Sequence, residues 1–260
     1  MNIPLLPILI ALITTFVAIS LLRPFAISID LVDKPNSRKT HTGSVPLIGG
    51  IVMYIGIVVS VLTTSNDLNQ LNYLLLSTLI IVIIGVLDDH RNISVSLRLL
   101  FQMLVALIIV TVGDTSIESF GKLFGSSEII LNKWTYFVSV MAIITGINAL
   151  NMLDGIHGLA GGSSLITFLA ILYLSIDSVS QETILIVFLF CSVLPVFLIN
   201  NICLGIPKSK RIFMGDAGSM LIGLVIAWLL VNLSQGENRA FRPVTTLWLF
   251  AMPLIEMVAT

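Results

Sequence analysis

The sequence predicts an all-α protein, a polytopic transmembrane helical bundle of about nine spans with its N-terminus outside. Three observations lead there. Of 260 residues, 57% are hydrophobic and only 10% charged, which is too apolar for a water-soluble domain. The apolar residues gather in runs close to the ~20 that a helix needs to cross a bilayer. The Lys and Arg residues, finally, are concentrated in alternate loops. The formal net charge of -1 says nothing about nucleic acid, because the charges are concentrated in a few loops; the apolar composition makes the lipid bilayer the expected partner, and no nucleic acid is expected.

The first run, 4–22, has no Lys or Arg before it, which reads as a retained span and not a cleaved signal peptide. Pro4 and Pro7 stand at its start, where a membrane helix tolerates them. The remaining runs are 47–65, 71–87, 97–113, 134–152, 159–176, 182–200, 217–233 and 244–260. They leave odd loops at 23–46, 88–96, 153–158 and 201–216, and even loops at 66–70, 114–133, 177–181 and 234–243. Nine of the thirteen Lys and Arg (Arg23, Lys34, Arg38, Lys39, Arg91, Arg98, Lys208, Lys210 and Arg211) lie in or at the edge of odd loops. The positive-inside rule then places the odd loops in the cytoplasm. Cys191, inside an apolar run, and Cys203, just past it, suit packing better than a disulfide framework. The chain reads as one integral membrane domain, 1–260.

Every polar motif falls in an odd loop, so all can converge on one cytoplasmic face. In the first loop, Asp33, Arg38, Lys39 and His41 precede a Gly/Pro-rich turn into the second span. The cations read as a seat for phosphate oxygens or as ordinary flanking charge beside lipid headgroups. Asp88 and Asp89 close an apolar run. Two carboxylates at a helix C-terminus repel each other and face the wrong end of the dipole, and a shared proton or a divalent ion relieves that. Mg²⁺ suits such a place because it takes one or two carboxylates plus waters and phosphate oxygens.

The third loop holds Asn148, Asn151 and Asp154 at i, i+3, i+6, a polar ridge on the last turns of a span. His157 and a glycine-rich helix start follow; free backbone N–H groups there can bind an anion, while the glycines can equally serve close helix packing and His157 can be a plain boundary residue. In the fourth loop, Asp216 of PheMetGlyAspAlaGlySer (213–219) stands at a helix start, as a metal ligand or as an N-cap. Carboxylates for a divalent ion beside cations and helix N-termini for phosphates suit a reaction on a phosphoanhydride at the lipid surface.

At AspLysProAsnSerArgLysThrHis (33–41), LeuAspAspHis (87–90), AsnAlaLeuAsnMetLeuAspGly (148–155) and PheMetGlyAspAlaGlySer (213–219), the chain resembles the polyprenyl-phosphate N-acetylhexosamine-1-phosphate transferases. The resemblance runs from the first loop to the end of the chain. It implies a multi-pass enzyme of the bacterial inner membrane with a cytoplasmic active site. That enzyme transfers GlcNAc-1-phosphate from UDP-GlcNAc to undecaprenyl phosphate, releases UMP and requires Mg²⁺, with Mn²⁺ an alternative. This is the first step of lipid-linked glycan synthesis of the O-antigen or enterobacterial common antigen type. A homodimer is compatible with it.

Carried onto this chain, the resemblance makes Asp88, Asp89 and Asp154 catalytic, and Asp216 with Asp89 the metal ligands. By the same resemblance Asn148, Asn151 and Lys39 or His41 become substrate-binding, and the reading of the loops themselves adds Asp33, Arg38 and His157 to the substrate-binding residues. The chain departs from the family pattern at His157 and Asn92, where an acid is usual. The family pattern also continues past Thr260 into a His-rich phosphate-binding loop, so the chain is expected to be shortened relative to the family. Three other readings stay open: another UDP-N-acetylhexosamine as donor, an inactive lipid-binding relative, and a cation-coupled transporter, since intramembrane acids often mark ion paths.

Overall fold

A computed structural model describes residues 3–34, 43–64, 71–123, 127–176 and 178–259. Ten α-helices dominate it: α1 (Leu5–Ser28), α2 (Gly49–Thr64), α3 (Asn72–Arg91), α4 (Val95–Thr111), α5 (Thr135–Leu153), α6 (Leu159–Ser175), α7 (Gln181–Ile202), α8 (Gly215–Ser234), α9 (Pro243–Leu249) and α10 (Ala251–Ala259). Two two-residue strands, β1 (Val32–Asp33) and β2 (Val45–Pro46), pair antiparallel.

Among the described residues, five helical segments are long and apolar enough to cross a membrane: α1, α3, α5 with the 3-10 turn before it, α7 and α8. The apolar helices α2, α4 and α6 are shorter. The protein is therefore all-α and polytopic. Leu9, Ile13, Phe16 and Leu21 of α1 are exposed. A helix that is apolar all round and bare on one side suits hydrocarbon, where every backbone group is bonded within the helix.

Helix boundaries follow local chemistry. Asn92 ends α3 in the left-handed conformation, φ 50°, its N–H returning to the Asp88 carbonyl at 2.8 Å. Asn is one of the few non-glycine residues that enters that region readily. Ser94 and Ser180 cap α4 and α7 through their hydroxyls. The last apolar run, read as one span from sequence, is two helices. Pro253 can neither donate to the Leu249 carbonyl nor leave room for it, and that carbonyl accepts instead from Thr167 Oγ1 at 2.9 Å.

The axis of the bundle is α8. Nearly all its residues are buried, Trp228 included, and α2, α3, α5, α6 and α9 touch it. Its first turns are small: Gly215, Ala217, Gly218 and Ser219. A Cβ on Gly50 would strike the backbone of Ala217 and Gly218, and one on Gly85 the backbone of Ala217. Two neighbouring helices thus reach backbone contact at the same end of α8, as small residues permit in membranes.

Candidate active site

The entry to α8 is where separate parts of the chain are tied together. Phe213 N–H donates to the Pro46 carbonyl at 2.9 Å, while Gly49 and Gly50 donate to the carbonyls of Phe213 and Met214 at 2.9 and 3.1 Å. These bonds join the end of the first loop to the segment leading into α8. Gly215 then turns with φ 70° and lies so close to Asp89 that a Cβ would sit 2.5 Å from its Oδ2. Glycine meets both demands there.

Asp89, in the last turn of α3, caps α8 from outside. Its Oδ1 accepts from the Asp216 N–H at 2.8 Å and its Oδ2 from the Ala217 N–H at 3.3 Å. A carboxylate on free N–H groups at the positive end of a helix is a favourable pairing. Asp216 is therefore not the N-cap of its own helix: it lies in the first turn, and Asp89 performs the capping. Neighbouring Asp88 is buried and paired with Arg98 of α4, Nη1 to Oδ2, at 2.8 Å. Asp88 and Asp216 line the same cleft, and a shared proton or a cation would relieve the repulsion between two such carboxyl groups.

Helix α5 supplies the third wall. Asn151 Nδ2 donates to Asp216 Oδ1 at 2.7 Å and to Ser219 Oγ at 3.0 Å. Asp154 lies just past the end of α5. Burial first, then the charges of Asp216 and Asp89, hold its carboxyl well above the usual carboxylate range.

An open cleft of about 700 Å³ is lined by Asp88, Asp89, Asp154 and Asp216, with Asp33, Lys34, Asn151 and His157 around them. Its size falls within the ordinary range for ligand sites. His157 is exposed and stacks on Phe213, the ring centres 4.6 Å apart. Asn148, read from sequence with the substrate-binding residues, does not line the cleft. Its amide is turned inward, donating to Gln102 Oε1 at 2.6 Å and to the Ile144 carbonyl at 2.8 Å. Arg38, Lys39 and His41 lie outside the described residues.

The sequence reading passed over Arg98 except as a flanking charge, and it missed Gln102 and Asn201. Asn201 lines the cleft and donates to the Ile212 carbonyl at 3.0 Å. For the first two a signal existed: Arg98 and Gln102 are four apart in an otherwise apolar run, so they share a helix face.

Hard carboxylate oxygens suit a Mg²⁺ ion. Five acids line the cleft, Asp33 with the four above, and among the described cations nearby Arg98 is engaged by Asp88 at 2.8 Å and Lys34 by Asp30 at 2.6 Å. Among the described residues no three His, Cys, Asp or Glu side chains are grouped tightly enough to hold an ion unaided. The donor set thus fits a metal that takes one or two carboxylates and completes its shell with water and ligand phosphates, with Asp216 and the free lone pairs of Asp89 as the available protein ligands.

The profile of glycosyl transferase family 4 matches residues 71–234. Among curated relatives, the chain is 39% identical over 246 residues to the undecaprenyl-phosphate alpha-N-acetylglucosaminyl 1-phosphate transferase of Salmonella typhi, covering 94% of this chain and 66% of that one. It is 39% identical over 238 residues to the enzyme of that name from Escherichia coli K12, covering 91% and 64%. With the Haemophilus influenzae enzyme it shares 38% over 261 residues, covering 98% and 72%. The chain thus spans 64–66% of the length of the first two.

Proposed function

The chain belongs to glycosyl transferase family 4, and from that premise we propose that it transfers GlcNAc-1-phosphate from UDP-GlcNAc to undecaprenyl phosphate, releasing UMP, as the opening step of a lipid-linked glycan. The observation that carries the reading is the placement of Asp88, Asp89, Asp154 and Asp216, from the ends of three helices, around one cleft. The relatives act, by their names, on undecaprenyl phosphate and the N-acetylglucosaminyl 1-phosphate group. Acids gathered at one end of the helices favour surface phosphate chemistry over a transport path through the bundle.

The residues divide the work. Asp216, aimed by Asn151, is the metal ligand, with Asp89 beside it. A Mg²⁺ ion held there supplies charge neutralisation for the diphosphate. Asp88, fixed by Arg98, faces the lipid phosphate and positions the oxygen that attacks the β-phosphorus of the donor. The new P–O bond forms as the bond to UMP breaks. One phosphoanhydride replaces another, so orientation and charge screening dominate. The His157–Phe213 pair offers a flat wall for the nucleotide base. Asp33, with Arg38, Lys39 and His41 of the same loop, completes the phosphate seat.

In the membrane the nine apolar runs form nine spans with the N-terminus outside, and the cleft opens to the cytoplasm at the inner membrane. This orientation rests on the placement of nine of the thirteen Lys and Arg. The test is release of UMP from UDP-GlcNAc by the purified chain in vesicles containing undecaprenyl phosphate, with and without Mg²⁺. Mg²⁺-dependent release that Asp216→Asn abolishes, in a protein that still inserts, is the expected result. No release by the native chain, or equal release by the variant, would refute the reading.

A further inference from the structure

Beneath the cleft, one turn deeper, a second polar layer joins the same helices. Gln102 of α4 is fully buried. Its Oε1 accepts from Asn148 Nδ2 of α5 at 2.6 Å, and its Nε2 lies 3.5 Å from Asn148 Oδ1 and 3.4 Å from Met220 Sδ of α8. Met220 is also fully buried. Asn148 is three residues before Asn151 on α5, and Met220 is four after Asp216 on α8, so the deeper layer lies on the same faces as the upper one.

We infer that Gln102 is a positioning residue: by pairing with Asn148 it fixes the rotation and height of α5 against α8, and so sets the contact of Asn151 with Asp216. Two amides bonded to each other, one fully buried and the other half-buried, accept only a narrow geometry. A leucine at either position would still fill space but would leave the other amide without its partner. Asn148 therefore acts through Gln102 and not on the substrate, in keeping with its absence from the cleft wall. The inference rests on the proposed function only for its catalytic readout.

The test uses the full chain in vesicles. Gln102→Leu should lower kcat by about 10- to 100-fold, the scale of a displacement near 1 Å, with KM for UDP-GlcNAc within about twofold. Asn148→Leu should match it, and the double variant should be no worse than either single, as for residues acting as a unit. The exchange Gln102→Asn with Asn148→Gln should recover activity. Native turnover in either leucine variant, or a double whose loss is the product of the two, would overturn the inference.

A substrate-free arm separates this from the proposed function. In a Cys191→Ala, Cys203→Ser background, Asn151→Cys with Ser219→Cys should cross-link on mild oxidation. Gln102→Leu should slow that reaction severalfold, and an unchanged rate overturns the inference. A native chain that releases no UMP refutes the function while the cross-linking still judges Gln102.

Discussion

Gly85→Ala tests the link between backbone packing and chemistry at its narrowest point. The added Cβ would sit 2.9 Å from the Asp216 carbonyl carbon and closer still to Ala217 N and Cα. Ordinary carbon contacts begin near ~3.5 Å, so α3 must retreat from α8 by about 1 Å. Asp89 is one turn further along α3, and its 2.8 Å bond from the Asp216 N–H would stretch to roughly 3.8 Å, outside hydrogen-bond range. Overpacking of this kind costs about 1–3 kcal/mol, and loss of the cap a further ~1 kcal/mol. Because Asp216 moves relative to Asp88 and Asp89 together, UMP release should fall about 100-fold. The assay is initial-rate UMP release beside thermal unfolding of the same preparation. Since Asp89→Asn keeps the spacing and weakens only the carboxylate, it should lose activity with a smaller loss of stability. A Gly85→Ala protein with native turnover would refute the reasoning.

Removing Arg98 should leave Asp88 buried without its cation: Arg98→Met is expected to cost about 3 kcal/mol and most of the activity, while Arg98→Met with Asp88→Leu recovers stability but not turnover, as read by unfolding and UMP release. The Asp154 carboxyl is held above its ordinary value near ~4, so its contribution to stability is fully present below that value and is lost as pH rises through the raised one. Metal-free unfolding temperatures should therefore decline over that interval in the native protein and decline less in Asp154→Asn. Chelation with EDTA should stop UMP release and added Mg²⁺ should restore it, with Mn²⁺ able to substitute. At the far end of the bundle, Trp228 Nε1 donates to Tyr73 Oη at 3.1 Å, so Trp228→Phe should cost about 1 kcal/mol with turnover unchanged.

Which of these features could be read beforehand follows from their physics. Membrane helices announce themselves by length and apolarity, so runs such as 182–200 and 217–233 correspond to Gln181–Ile202 and Gly215–Ser234 within two residues. The break at Phe250 was legible in principle from Pro253, but the seven- and nine-residue helices either side of it still sum to one apolar run. The acids were conspicuous because a carboxylate beside Leu and Ile is costly to desolvate and needs a partner. What each acid does was not legible: only the approach of α3 to α8 shows that Asp89 caps the helix carrying Asp216. The same holds for Asn148, whose regular spacing with Asn151 suggested a shared role, although one amide turns to Asp216 and the other to Gln102.

The small residues at the start of α8 explain why acids can gather there at all. In lipid, helices gain little from burying apolar surface against one another, and close contact comes from residues without bulk. Gly50 on α2 and Gly85 on α3 press against Ala217 and Gly218, while Gly223, further along α8, meets Gly146 and Ile147 of α5. Three helix ends are thereby drawn to one point, and with them the carboxylates that terminate α3 and α5. Their mutual repulsion would push the ends apart, but the same turn of α8 supplies the counterweight, two N–H groups to Asp89 at the positive end of its dipole. Asp88 is answered separately by Arg98. Asp154 and Asp216 face the same cleft of ligand size, and neither has a salt bridge among the described residues. A divalent ion accompanied by a diphosphate is the ligand that such a residue of negative charge would select.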